Sequence, residues 1–168
     1  MIETKRLKLR PFRAGDIAPY AAIRAKPEVV RFLPGGMALC ATAREDAERI
    51  VPRFAALWEA GGYGPWAVED RGSGTLLGHA GLRDLGRETE ILYMLDSRAW
   101  GQGLATEAAL AARDYGFGVL RLPGLVGYAL PENAASCRVL AKIGMREEGR
   151  VHIFGLDALR FVLTPPAG

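Results

Sequence analysis

The chain is poor in the residues that mark several common classes of protein. Its two cysteines, Cys40 and Cys137, are far apart and form no CxxC pair, which argues against a disulfide framework and against a zinc site. Lysine is confined to Lys5, Lys8, Lys26 and Lys142, and no run of Lys or Arg occurs, so a nucleic-acid interface is not indicated. No apolar stretch approaches the ~18 residues of a bilayer-spanning helix. The opening Met-Ile-Glu-Thr-Lys-Arg lacks the apolar core and cleavage site of a signal peptide. These absences lead us to expect a cytoplasmic protein with no metal, no nucleic acid and no membrane among its partners.

What is present is ordinary for a globular fold. The 168 residues are 49% hydrophobic and 24% charged, enough for a single domain over residues 1–168 with its own core. Arginine and alanine are abundant, which reads as the bias of a GC-rich coding genome. A net charge of +3 is spread thinly, yet a mildly positive surface attracts a phosphate-rich ligand.

Periodicity suggests the elements. Leu7 and Leu9 alternate with Lys8 and Arg10, a first strand over 5–10. A helix runs from Asp16 to about Lys26, Pro27 opens a turn, and Pro34-Gly35-Gly36 marks a loop. Thr42 followed by Glu45 has the form of a capping box. It starts a helix that reaches about Ala60, with Pro52 expected to kink or divide it. Strands at about 64–70 and 75–83 flank Asp70-Arg71-Gly72-Ser73-Gly74, a hairpin turn, and a third strand covers about 89–96. Leu104 to Phe117 is alanine-rich and helical, with Ala105, Ala108, Ala109 and Ala112 small enough to lie close to a sheet. A strand at about 124–130, a helix at about 134–143 ended by Gly144, and strands around 145–153 and 156–163 complete the order. This is an α/β arrangement with a mixed sheet, antiparallel in its first part.

The chemistry concentrates where a strand, Glu90-Ile91-Leu92-Tyr93-Met94-Leu95, runs into Arg98-Ala99-Trp100-Gly101-Gln102-Gly103-Leu104-Ala105-Thr106. A glycine-bearing loop followed by a helix start presents unpartnered N–H groups and the positive end of the helix dipole to an anion. A P-loop would need Lys-Ser/Thr after the glycines, where Leu104 and Ala105 stand. A dinucleotide fingerprint would need Gly or Ala at 106 and an acid about 20 residues on, where Thr106 and Arg121-Leu122 stand.

Arg98-Ala99-Trp100-Gly101-Gln102-Gly103 matches the Arg/Gln-x-x-Gly-x-Gly/Ala motif of the GNAT superfamily of N-acetyltransferases. Trp100 to Ala108 resembles the Trp-Gly-x-Gly-x-Ala-Thr-Glu-Ala form of its RimJ/RimL-like branch. Asn133-Ala134-Ala135-Ser136 through Lys142-Ile143-Gly144-Met145 resembles that branch's Asn-x-x-Ser … Lys-x-Gly-Phe. Arg6 to Pro11 and Glu90 to Tyr93 resemble its opening and central strands. The resemblance spans nearly the whole chain and implies a GNAT fold, a mixed central sheet with splayed strands flanked by helices. It also implies acetyl-CoA as co-substrate, without metal, and a primary amine as acceptor, either a protein N-terminus or a small molecule. Pairing into a homodimer is left open.

The same resemblance implies roles. Tyr93, Met94 and Leu95 would lie beside the pantetheine arm, with a backbone N–H, foremost that of Leu95, holding the oxyanion. Arg98, Gly101, Gln102, Gly103, Leu104, Ala105 and Thr106 would hold the pyrophosphate. Asn133 would cap its helix and reach the cofactor arm. Many GNAT enzymes carry a Tyr acid seven residues after that Asn; here Leu140 stands there, and Ser136 would take over the contact to the departing thiolate. Cys137 has no base beside it. The general base is open among Glu90, His79, His152, Tyr93 and Asp157, with Glu90 foremost. Trp100 is expected to anchor its helix in the core. Arg31, Phe32 and Met37 are placed by analogy near the acceptor. A CoA-binding module without turnover is the alternative function.

Overall fold

The structure, a computed structural model, describes residues 1–167. Eight strands form one mixed sheet: β1 (Ile2–Glu3), β2 (Leu7–Arg10), β3 (Pro65–Asp70), β4 (Leu76–Asp84), β5 (Thr89–Leu95), β6 (Leu125–Ala129), β7 (Arg146–Ile153) and β8 (Leu156–Leu163). Their order across the sheet is β1-β2-β3-β4-β5-β6-β8-β7. Every adjacent pair is antiparallel except β5 with β6. A parallel pair needs a long crossover, and α4 (Leu104–Gly118) supplies it. Five helices cover the two faces, the others being α1 (Ile17–Arg24), α2 (Pro27–Val30), α3 (Ala43–Glu59) and α5 (Ala134–Lys142).

The two faces bury separate cores. On one, Ala108, Ala109 and Ala112 of α4 are fully buried among Leu82, Ile91, Leu125 and Leu140; three methyl-sized side chains let the helix axis approach the strands. On the other, Tyr20, Ile23, Val30, Ala47 and Val51 from α1, α2 and α3 enclose Ala67 and Met94. Arg10, buried in β2, joins this face to the sheet. It meets Asp16 through two parallel bonds of 2.8 Å and Glu69 of β3 at 2.7 Å, a fork that matches carboxylate geometry.

Three local expectations are corrected. Pro27 does not merely open a turn: it starts the short helix α2, at the first helical position where its missing N–H costs nothing. Thr42 forms no capping box. The chain enters α3 from a 3₁₀ segment, Gly36–Thr42, so Thr42 is not extended, and its hydroxyl meets Asp46 at 3.0 Å instead. Pro52 does not divide α3, which runs unbroken for 17 residues. Pro52 lies on the exposed side, where water can satisfy the carbonyl it leaves unpaired.

Candidate functional site

The centre of the site is the parting of β5 and β6. Their register contains one pair, Glu90 opposite Val126, and beyond it toward Leu95 the strands separate. On the opposite side of β5 the pairing with β4 is continuous from Gly78↔Leu95 to Asp84↔Thr89. Residues of an antiparallel pair turn their N–H and C=O alternately toward and away from the partner. Asp96 donates to Leu77 O at 2.6 Å, so Met94 also faces β4, while Leu95 and Tyr93 face the opening. The backbone of Met94 is therefore engaged by the sheet, and of the expected pair only Leu95 offers its groups to a ligand. Its carbonyl already accepts the indole N–H of Trp100 at 3.0 Å. Trp100 itself is 48% exposed. It is a wall beside the loop, not the buried anchor expected, because its indole turns back to the strand end instead of into the core.

The loop between β5 and α4 is built as an anion cradle. Gly101 and Gly103 sit at φ +72° and +76°, a conformation that L side chains adopt at a cost of roughly 1–2 kcal/mol each. A side chain added at Gly101 would meet nothing in the protein within 4 Å, so the space over this residue is open to a ligand. The first bond of α4 runs from Glu107 N to Gly103 O at 3.0 Å. The N–H groups of Leu104, Ala105 and Thr106 consequently have no intrahelical acceptor and point out of the helix start. A pyrophosphate fits this donor set.

Side chains from distant segments hold the cradle in place. Glu107 accepts from Thr4 Oγ1 at 2.6 Å, Arg6 N at 2.8 Å and Arg6 Nε at 2.7 Å, and Arg6 Nη1 donates to Gln102 O at 2.7 Å. The Gln102 amide donates back to Arg98 O at 3.1 Å. The guanidinium of Arg98 does not lie over the cradle. It rests on Asp96 Oδ2 at 2.7 and 3.0 Å, so its charge is already shared within the protein and the donors that line the cradle are those of the backbone.

Asp96 is a functional residue that sequence reasoning missed. It is fully buried and also accepts Arg98 N at 3.1 Å and Lys26 Nζ at 2.6 Å. Ser97 donates to Glu28 at 2.9 Å. The pair of contacts ties the end of α1 and the start of α2 to the beginning of the loop that carries Gly101 and Gly103. Burial works to raise the Asp96 carboxyl, but the hydrogen bonds from Arg98 and Lys26 outweigh it and hold the group at about 2. A carboxyl lowered in the folded state contributes stability that is present above its unfolded value, near 3.9, and is lost as pH falls through the folded one. The urea midpoint is therefore expected to drop between about pH 4 and pH 2, and Asp96→Asn to flatten that drop while lowering the midpoint at neutral pH. An unchanged acid limb in the variant would remove Asp96 from this account.

Across the opening stands α5. Asn133 caps it, its Oδ1 accepting Ser136 N at 3.3 Å. Ser136 Oγ lies 2.9 Å from the phenol of Tyr93, which also donates to Ser136 O at 3.0 Å, so strand β5 and helix α5 meet through these two hydroxyls. Burial raises the Tyr93 phenol strongly, which leaves it a protonated donor. Leu140 is buried against Gly127 of β6, so the position that carries a Tyr in many GNAT enzymes is here a packing position. Burial, then the charge of Glu147, also pushes the Cys137 thiol up, and its Sγ meets a backbone carbonyl, Leu130 O, at 3.7 Å.

The base candidates fall in different places. Glu90, 5% exposed, lies at the closed end of the opening, bound to Arg83 Nε at 2.7 Å and to Arg83 Nη2. Burial raises its carboxyl, with Arg83 acting against the shift. His79 is on the α1 face, its Nδ1 2.9 Å from the Tyr20 hydroxyl; burial, then the charges of Arg24 and Arg83, push it down to about 3, so it is neutral and a poor base. His152 and Asp157 pair at 2.9 Å on the exposed β7–β8 hairpin, away from the opening. Arg31 stacks over Phe32 at 4.6 Å, and Met37 is 63% exposed; all three sit on the segment after α2. Among the described residues no group of three His, Cys, Asp or Glu could hold a metal ion, and no helix is long and apolar enough to cross a membrane.

A family model described as the acetyltransferase (GNAT) domain matches residues 6–146. The chain belongs to the GNAT acetyltransferase family. It is thus an acyltransferase dependent on acetyl-CoA. Bacillus subtilis YoaA, named an uncharacterized N-acetyltransferase, is 31% identical over 152 residues, 89% of this chain and 84% of that one. B. subtilis YkkB, named an uncharacterized protein, is 42% identical over 90 residues, about half of either chain, 50% of this one and 52% of that one. Among solved structures, Mycobacterium smegmatis RimJ in complex with CoA-disulfide superposes with a TM-score of 0.77 at 27% identity, covering 94% of this chain and 81% of that one.

Proposed function

We propose that this GNAT protein, a single catalytic domain over residues 1–168, moves the acetyl group of acetyl-CoA onto the nitrogen of a primary amine by direct attack. The amine belongs to a protein N-terminus or to a small molecule. One observation carries the reading: the opening between β5 and β6 is flanked by the donor-rich start of α4 on one side and by the Ser136–Tyr93 pair on the other. The RimJ neighbour was solved with a CoA-disulfide, which supports a CoA thioester as the ligand of this chain.

Acetyl-CoA supplies the activated thioester, and the residues of the chain do the rest. Leu104, Ala105 and Thr106 offer their N–H groups to the pyrophosphate, and Gly101 and Gly103 keep side chains out of its way. Leu95 and Asn133 border the pantetheine arm. The N–H of Leu95, already directed into the opening, donates to the thioester oxygen as it gains charge. As the C–S bond breaks, Ser136 passes its hydroxyl proton to the departing thiolate, directly or through water, and regains one through water from the proton the amine has lost, while Tyr93 keeps the serine oriented. An α-amino group, with a reference pKa of about 7.7–8.0, keeps a sizeable neutral fraction slightly above pH 7, far more than a lysine at about 10.4. It asks little of a base, and Glu90, its carboxyl raised by burial, accepts the proton through water.

Thiol release from acetyl-CoA with a panel of primary amines tests the proposal. Ser136→Ala is expected to lower kcat by about 100-fold, the lower range of general-acid contributions, whereas a purely structural serine would leave kcat almost unchanged. Calorimetric binding of CoA without thiol release from any amine would make this protein a CoA-binding module.

A further inference from the structure

Arg24 is buried on the α1 face of the sheet without a full set of partners. It closes α1 and is 6% exposed. Its Nη1 lies 4.0 Å from Met94 Sδ, and its Nη2 reaches Asp46 at 3.4 Å. Among the described residues its Nε is the only buried side-chain nitrogen or oxygen with no hydrogen-bond partner. A buried donor left unpaired is costly, and a guanidinium binds best through two parallel N–H bonds to one carboxylate.

Asp46 does not fill that requirement. It receives Arg49 at 3.0 Å and Thr42 at 3.0 Å, both closer than Arg24. The neighbouring carboxylate, Asp96, is shared between Lys26 and Arg98. Two carboxylates therefore serve four cations, Arg24, Arg49, Lys26 and Arg98, and the nearby Glu28 is bonded to Ser97. The surplus is positive, and its most buried member touches Met94, the neighbour of Leu95. Lys26, two residues beyond Arg24, is anchored to Asp96 at the end of β5, which holds the last turn of α1 against that strand end.

We infer that Arg24 receives a carboxylate of the acceptor, so that the substrate is a primary amine carrying a carboxylate within a few bonds of the attacking nitrogen. This rests on the N-acetyltransferase reading above. Two sources share the chemistry: the α-carboxylate of a free amino acid, and the acidic side chain of a peptide beginning with Asp or Glu. Nε is covered by the protein in this state, so the guanidinium edge that bears it turns outward to meet the carboxylate while the amine faces the thioester across Met94 and Leu95.

Matched substrates test the inference on the unmodified protein. Free amino acids are compared with their carboxamides, and peptides beginning with Glu with the same peptides beginning with Gln, by thiol release from acetyl-CoA. In one arm the acid is expected to exceed its neutral counterpart in kcat/KM by at least tenfold, and that arm names the source. Arg24→Gln, checked for folding by circular dichroism, is expected to bring the ratio toward one. Equal rates for acid and amide in both arms, or a ratio preserved in a folded Arg24→Gln variant, would overturn the inference and leave N-acetyl transfer standing. If no amine releases thiol, the proposed activity fails instead. Calorimetry with the CoA-saturated protein then decides on Arg24: binding of an acid but not its amide, abolished by Arg24→Gln, upholds the anion site, and no binding rejects it.

Discussion

Replacing Gly101 and Gly103 together by alanine is expected to weaken CoA binding by about 30-fold or more while the protein stays folded. The two residues stand at φ +72° and +76°, where each methyl group brings roughly 1 kcal/mol of backbone strain. Neither methyl is obstructed by the protein: nothing lies within 4 Å of the added carbon at 101, and at 103 the nearest atom is Arg6 Nη2 at 3.6 Å. The folded state therefore bears only the strain, about 2 kcal/mol in total, which at this chain length lowers Tm by roughly 4–8 °C. Relief of that strain moves the N–H groups of the loop, and the methyl at 101 enters the space where the ligand approaches. A loss of 2 kcal/mol in binding corresponds to about 30-fold in Kd. Calorimetry measures it directly. An unaltered Kd in a folded double variant would show that the pyrophosphate lies elsewhere.

The fold could be read in the sequence to the extent that periodicity and turn chemistry are local. The alternation of Leu7 and Leu9, the alanines of α4 and the Asp70–Gly74 turn each placed an element within a few residues. Thr42 misled because a capping residue acts only when the chain enters the helix extended, and the preceding 3₁₀ segment was not apparent in Gly36–Thr42. The site divides in the same manner. The loop glycines, Asn133 and Ser136 are contiguous motifs and were visible. The division of labour between Met94 and Leu95 depends on which strand neighbours β5, and the partners of Asp96 and Glu107 lie 70 and 101 residues away. No spacing rule connects Lys26 to Asp96 or Arg6 to Glu107. Those pairs arise only when α1 packs against the end of β5 and β2 comes to lie beneath the start of α4. Arg24 was missed for a related reason: an arginine in an amphipathic helix looks like a solvated face until its neighbours are known.

The opposite kind of glycine gives the largest effect expected of any single substitution here. Gly78 in β4 stands at φ +142°, and a carbon added to it would lie 2.0 Å from Met94 O and 3.0 Å from Leu95 Cα. Both are backbone atoms in the middle of a sheet, so no side-chain rotation can make room. Gly78→Ala must push β4 and β5 apart at the two residues that border the opening, in addition to forcing an L residue into a left-handed backbone. Overpacking costs about 1–3 kcal/mol and the backbone strain another 1–3 kcal/mol. Together they lower Tm by roughly 4–24 °C for a chain of this size. Because the displaced segment carries the N–H of Leu95, kcat is expected to fall further than the folded fraction alone would explain. Gly118→Ala is the control: nothing lies within 4 Å of the added carbon and no positive φ is involved, so near the end of α4 it should be neutral or stabilising by a few tenths of a kcal/mol. Thermal melts of the two variants, with single-turnover acetyl transfer at a temperature where both are folded, separate packing from catalysis. A Gly78→Ala protein that melts with the wild type would mean that β4 and β5 have room for a methyl group beside Met94. One that melts lower yet transfers acetyl at the wild-type rate would remove Leu95 from the oxyanion site.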